Sequence, residues 1–127
     1  MDNFKEAADR CVDRGDRATA RRILVERKIV QKMISLVLAD GHSISVNDGE
    51  EWVVKRSSSK KEILHAMFST DEDVLTVYDD KGMRAAWFSF VYGNDGYDVL
   101  SDYSANAYGD KIWNALKPSI EKMELAV

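Results

Sequence analysis

The residues best suited to catalysis are few and lie far apart in the sequence. The chain has one cysteine, Cys11, and two histidines, His42 and His65. A nucleophilic site needs a serine or cysteine beside a base that a third group orients. Each of these three residues instead falls on or next to a predicted helix, without suitable neighbours. We interpret them as structural or solvated residues and predict no catalytic residues. A hydrolase built on unrecognised carboxylates is the weaker alternative.

The spacing of ligand-forming residues also indicates no metal or cofactor. A single thiol cannot form a cysteine-rich site, and no H-x-x-x-H pair occurs. Residues 94–98 resemble the start of a calcium loop, but the required spacing and the distal glutamate are absent. The seven glycines occur singly at predicted turns or helix ends, not in phosphate-binding patterns. We therefore predict no metal site and no cofactor.

Acidic and tyrosine residues accumulate in the second half of the sequence. Tyrosine provides a large contact area with a hydrogen-bonding tip, and carboxylates attract a basic partner. This pattern predicts a protein-binding surface for a basic protein, for example one that binds nucleic acid. Charge that serves only solubility is the alternative. The residues of this acidic tyrosine surface are Tyr78, Asp79, Asp80, Tyr92, Asp95, Tyr97, Asp98, Asp102 and Tyr103.

Basic residues accumulate near the N-terminus. Residues 10–32 contain eight Lys or Arg against three acids, a net +5, whereas residues 71–110 carry a net −7. At helical spacing five of these bases form one stripe that could contact successive phosphates. Nucleic-acid binding is therefore the alternative function, against a merely solvated helix face. The residues of this basic face are Arg14, Arg17, Arg21, Lys28 and Lys32.

Helices are predicted at both ends of the chain. A short helix ends near Gly15, and a longer one begins after the N-cap Asp16 and ends at Asp40 and Gly41. The apolar stripe of this second helix follows three- and four-residue steps. Its members are Ile23, Val30, Ile34, Val37 and Leu38, with Leu24 and Met33 beside them. A further helix begins after Asn106, and Pro118 should kink or restart it.

Between the terminal helices the apolar period changes to two, which is typical of strands. A hairpin is predicted around residues 47–50, and a short helix over residues 60–68 follows the capping residue Ser59. Strands over residues 74–78, 83–92 and 97–103 then form a three-stranded meander. Short turns allow only antiparallel neighbours. We predict an α+β fold, with an antiparallel sheet of about five strands and helices packed on it.

Composition favours a single folded domain. The chain has 127 residues, is 45% apolar and contains one proline. This composition is too apolar and too poor in proline for a disordered chain. We predict one domain over residues 1–127, with a helical segment over 1–40 and an α+β core over 41–127. The N-terminus does not resemble a signal peptide, and no apolar run is long enough to cross a membrane. These features predict a cytoplasmic protein. Three tryptophans and four phenylalanines also predict self-association as a homodimer.

Two stretches resemble segments of small accessory proteins encoded by bacteriophages, prophages and related mobile elements. They are residues 43–57 (SISVNDGEEWVVKRS) and 90–104 (FVYGNDGYDVLSDYS). The resemblance covers roughly residues 33–104 and implies a bacterial host cytoplasm and an interaction role, such as inhibition of host defence. It supplies no catalytic residues. The sequence thus predicts a non-enzymatic protein–protein interaction module.

Overall fold

The sheet and helices follow the predicted order. The computed structural model describes residues 1–126 and shows an α+β fold with four helices and one five-stranded antiparallel sheet. In chain order the elements are α1 (Asn3–Asp13), α2 (Arg17–Ala39), β1 (Ser43–Asn47), β2 (Trp52–Ser57), α3 (Lys60–Ala66), β3 (Glu72–Tyr78), β4 (Arg84–Val91), β5 (Leu100–Tyr103) and α4 (Ala107–Leu125). The predicted fold class, a hairpin and a meander with helices on the sheet, is confirmed.

One face of the sheet carries the core. The strands are ordered β2-β1-β3-β4-β5, and every neighbouring pair is antiparallel. Val46 pairs with Leu75, which pairs with Phe88, and all three are fully buried. Alternate residues of a strand point to opposite faces. The period-two pattern of the sequence therefore places the fully buried apolar residues of these strands on a single side.

The helices cover this apolar face. In α2 the Asp16 carboxylate accepts from the Thr19 backbone N–H at 3.1 Å, and Gly41 follows the last turn with φ +79°. The predicted N-cap and the glycine that ends the helix are both confirmed. Ile29, Val30 and Met33 are fully buried in the core that helices and sheet share. Within residues 1–126, no helix combines the length and apolar character that crossing a membrane requires.

Several predicted boundaries were wrong by up to three residues; strand β3, for example, begins at Glu72 rather than at residue 74. Strand β5 begins at Leu100 rather than at residue 97 because the Asp95 carboxylate accepts from the Tyr97 and Asp98 backbone N–H groups, which turns the chain. Helix α3 ends at Ala66, and Phe68 adopts φ +62°, outside the helical region.

The proline in α4 does not restart the helix. Helix α4 continues from Ala107 to Leu125 with Pro118 inside it. Leu116 and Ile120, on either side of the proline, are both buried. We attribute the continuity of the helix to this packing, which holds both halves against the core despite the lost backbone donor.

Candidate functional site

The basic face lies on the surface at the N-terminal end of the chain. Four of its residues are exposed on α2, and the fifth, Arg14, follows α1 and donates to Cys11 Sγ at 3.2 Å. The ion pairs among residues 1–126 are Arg22–Glu26, Arg27–Asp2 and Lys111–Asp40, so none of them includes a basic-face residue. Within that part of the chain the charge of the basic face is not neutralised by pairing.

An apolar groove runs beside the basic face, between α2 and the end of α4. It has a volume of about 480 Å³ and continues into a depression of about 380 Å³. Its apolar lining consists of Val12, Ala20, Leu24, Val25, Tyr97, Met123 and Ala126. The cations that border it are Arg17, Arg21, Lys28, Lys32 and Lys122. We call this feature the basic groove.

Two apolar side chains in the basic groove are unusually exposed. Val12 is 49% exposed and Leu24 is 43% exposed. The sequence placed Leu24 beside the buried stripe of α2, but it lies between Arg21 and Lys28 on the basic face, at steps of three and four residues. Exposed apolar side chains ringed by polar groups are typical of an interaction surface.

The loop over residues 93–99 is held against α2. The Gly93 backbone N–H donates to Glu26 Oε2 at 2.9 Å, and Arg22 contacts the same carboxylate at 3.4 Å. Glu26 is fully buried, and burial raises its pKa. Gly96 has φ +97°, and a Cβ there would lie 3.3 Å from the Arg22 carbonyl oxygen. This packing brings Tyr97 into the basic groove.

The acidic tyrosine surface is divided by the fold. Tyr78, Asp79 and Asp80 lie at the β3–β4 turn, whereas Asp95, Tyr97 and Asp98 lie in the loop after β4. The eight residues of β4 separate these two sites by about 26 Å. The remaining pair, Asp102 and Tyr103, lies on the edge strand β5. The turn before a strand and the loop after it must lie at opposite ends, so the predicted residues do not form one patch.

Several of these side chains have structural roles. Asp79 Oδ1 accepts from the backbone N–H groups of Lys81 and Met83 and so shapes the β3–β4 turn. The Tyr103 ring lies between Phe88 and Trp113, with centroid distances of 6.4 and 6.0 Å. Asp95, Asp98 and Asp102 remain exposed. The Asp95 carboxylate caps its own loop, as described above.

Tyr92 is buried, although the sequence places it on the acidic tyrosine surface. It is only 7% exposed, and its hydroxyl donates to Asp73 Oδ2 at 2.6 Å. Asp73 is fully buried on the core side of β3, opposite Phe90. The sequence missed this pair because the run 71–73 resembles exposed acids at the start of a strand. Tyr92 therefore does not belong to a binding surface.

A second depression lies on the sheet face opposite the core. It has a volume of about 420 Å³ and is lined by Ser45, Trp52, Lys55, Arg56 and Tyr78. The guanidinium of Arg56 lies 4.2 Å from the centroid of the Tyr78 ring. No local sequence pattern indicates this combination, because the residues come from three different strands. Only the sheet pairing brings the two cations and two aromatic rings together.

The residues considered for catalysis stay apart. Cys11 is buried in α1, His65 is exposed on α3, and the His42 ring lies 4.8 Å from the Tyr108 ring at the other end of α2. No two of them lie within hydrogen-bonding distance of each other among residues 1–126.

Comparisons with protein-family models, with curated proteins and with solved structures gave no match.

Proposed function

We propose that the protein is an interaction module that holds an acidic, amphipathic segment of a partner protein in the basic groove. The observation that carries the proposal is the exposed Leu24, flanked on the same helix face by Arg21 and Lys28, which form no ion pair with any of residues 1–126. Apolar side chains supply binding energy through burial, and flanking charges orient the partner and select it. The sequence also predicts a protein–protein interaction module, but it assigns binding to the acidic tyrosine surface, whereas this proposal assigns it to the basic face.

The dimensions of the basic groove favour a helical segment. Arg17 and Lys32 are separated by about 22 Å along α2. A helix of about 15 residues has that length. Its apolar residues at three- and four-residue steps would cover Val12 and Leu24, and its acids would face the cations on either side.

A pair of designed peptides tests the proposal. One is a 15-residue amphipathic helix with leucines on one face and glutamates beside them, and the other has lysines in place of the glutamates. We expect the acidic peptide to bind at least tenfold more tightly in fluorescence anisotropy. In the double variant Arg21→Glu, Lys28→Glu this preference should disappear, and Leu24→Asn should weaken binding.

The matched control carries the same charge change elsewhere. Lys61 and Lys81 are exposed on α3 and on the β3–β4 turn, so Lys61→Glu, Lys81→Glu should leave peptide affinity within about twofold. Equal binding of both peptides, or an equal loss in the control variant, would contradict the proposal.

Nucleic-acid binding by the basic face is the second candidate function. It is favoured by the five cations of the basic face, four of which lie along α2 and none of which forms an ion pair within residues 1–126. Each neutralised phosphate should add about −0.9 to the slope of log affinity against log salt for duplex DNA. Duplex binding at 50 mM salt that Arg17→Glu, Lys32→Glu abolishes would support this function. Duplex binding that is absent, or that survives those changes, would dismiss it.

Binding of a basic partner through the acidic tyrosine surface stays a prediction, now restricted to its exposed part. Asp95→Asn, Asp98→Asn and Asp102→Asn together should lower the yield of partners captured from a bacterial lysate. Identical partners at identical yield would count against it. The phage and cytoplasmic setting, including inhibition of host defence, is a proposal that the genes flanking the coding sequence would test.

A further inference from the structure

The sheet face opposite the core carries aromatic side chains that the helices do not cover. Trp87 pairs with Thr76 across β4 and β3 and lies on the same face as Tyr78. Neither ring packs against the core, in contrast to Tyr103 and Trp113. Trp52, on the neighbouring edge strand β2, is 45% exposed. The side of the sheet that faces away from the helices therefore presents three aromatic residues from three strands.

A β-bulge places two cations beside these rings. Val46 pairs with Val54, and Ile44 pairs with Ser57, so Lys55 and Arg56 together stand opposite the single residue between Ile44 and Val46. A bulge of this kind redirects side chains and is frequent beside functional sites.

The backbone at the bulge is strained and locally supported. Arg56 adopts φ +49°, a conformation that non-glycine residues rarely occupy, and its backbone N–H donates to Ser45 Oγ at 2.8 Å. Such strain persists only where the surroundings hold it, and it is concentrated at binding sites. The observed result is an arginine stacked on Tyr78 at the edge of the depression.

The charge is positive at the bulge itself, whereas acids lie beside Trp52 and the β1–β2 turn. Within residues 1–126 neither Lys55 nor Arg56 forms an ion pair. A third cation, Arg84, stands opposite Tyr78 in the register of β3 and β4.

Three acids lie nearby: Glu51 precedes Trp52, Asp79 follows Tyr78, and Glu72 lies on the same face of β3 with its side chain beside Gly49 of the β1–β2 turn. One oxygen of Asp79 already accepts two backbone N–H groups of the β3–β4 turn. Asp102 pairs with Ser89, farther along β4.

We propose that this sheet face binds single-stranded nucleic acid, with one base stacked on the exposed Trp52 ring, further bases against the half-buried Tyr78 and Trp87, and a phosphate held by Lys55 and Arg56. Ring faces and cations together recognise unstacked bases linked by phosphates. A duplex keeps its base faces covered, and an acidic peptide of aliphatic residues offers no aromatic faces to stack on the rings. Trp52 and Tyr78 lie two strand spacings apart and four residues apart along the strands, because Trp52 is in register with Val74, so their backbones are about 16 Å apart. Nucleotides two or three apart in an extended strand could reach both.

The test uses the full chain and a fluorescein-labelled dT12 oligonucleotide at 50 mM salt, with a 12-base-pair duplex for comparison. We expect dT12 to bind in anisotropy measurements, to quench tryptophan fluorescence and to outcompete the duplex. Trp52→Ala should weaken binding about tenfold. Arg56→Gly should also weaken binding and make the salt slope shallower by about 0.7, the value for one single-strand phosphate.

The variants are chosen to keep the fold. Trp52 lies half exposed on an edge strand, and glycine adopts the φ of Arg56 without strain. Lys61→Ala is the control for loss of one exposed cation and should leave dT12 affinity unchanged. Circular dichroism of each variant confirms that the fold is intact.

Any of four results would overturn the proposal. Absence of dT12 binding at 50 mM salt would do so, and so would equal competition by polyglutamate. Loss of dT12 binding in Arg21→Glu, Lys28→Glu but not in Trp52→Ala would move the site to the basic face. A dimer in light scattering that Trp52→Ala dissociates would show that a second copy covers the sheet face. The peptide experiment on the basic groove uses other residues, so either proposal can fail alone.

Discussion

At the scale of single residues, the unusual group is the buried carboxyl of Asp73. It accepts from the Phe68 backbone N–H at 2.9 Å and from the Tyr92 hydroxyl, while its Oδ1 has no partner among residues 1–126. Burial raises the pKa of Asp73 to about 6. The hydrogen bond to Phe68 also supports the left-handed backbone there, and the Phe68 ring stacks on Phe4 at 4.6 Å. One buried acid thus connects α3, β3 and the N-terminal helix.

Replacing Asp73 with asparagine should change how stability depends on pH. A carboxyl with a raised pKa in the folded state contributes most below its unfolded value of 3.8, and this contribution is lost as the pH rises through about 6. From pH 4 to 7 the wild type should therefore lose up to about 3 kcal/mol of unfolding free energy relative to Asp73→Asn. Urea unfolding at several pH values measures this, with the exposed Asp71→Asn as control. If the unfolding free energies of wild type and Asp73→Asn changed in parallel with pH, the pKa of the buried carboxyl would not be raised in the folded state.

At the scale of elements, the start of α4 depends on a close approach to the sheet. Asn106 is the N-cap: its Oδ1 accepts from the Gly109 backbone N–H, and its Nδ2 donates to the Ala85 carbonyl oxygen, both at 2.9 Å. A Cβ on Gly109 would collide with the Ser104 carbonyl oxygen. The first turn of the helix is thereby attached to β4 at a site where only glycine fits.

Gly109→Ala should therefore destabilise the protein. In an exposed helix interior this change stabilises by about 1 kcal/mol, but here the collision should cost about 1–3 kcal/mol. The control is Ala115→Gly at an exposed position of the same helix, which should cost about 1 kcal/mol from helix propensity alone. Both are measured by chemical denaturation. A gain of stability in Gly109→Ala would contradict the close packing of this turn.

At the scale of the whole molecule, one core joins the helical N-terminal segment to the sheet. Phe4 of α1, Ile34 of α2, Leu75 of β3 and Leu116 of α4 belong to the same buried cluster. Trp113 packs against this core, which leaves Trp52 and Trp87 on the opposite sheet face. Self-association through tryptophan side chains, as predicted from the aromatic content, would use those two residues.

A shared core should make unfolding a single cooperative transition. Far-UV circular dichroism reports mainly on the helices, and tryptophan fluorescence reports on the sheet and α4, because the three tryptophans lie on β2, β4 and α4. Their midpoints in urea should coincide. An earlier helical transition would instead show that residues 1–40 fold as a separate unit.

The sequence by itself determined the order of the elements, the antiparallel sheet and the caps of α2, because local periodicity and turn residues encode them. Asp16 and Gly41 are examples: each acts on neighbours a few residues away. Tertiary structure alone decided the surfaces. It buried Tyr92 against Asp73, exposed Leu24 among cations, divided the acidic residues between the two ends of β4 and placed Arg56 over Tyr78. These placements depend on pairing between distant strands and helices, and no local pattern of charge or hydropathy specifies which side chains will meet.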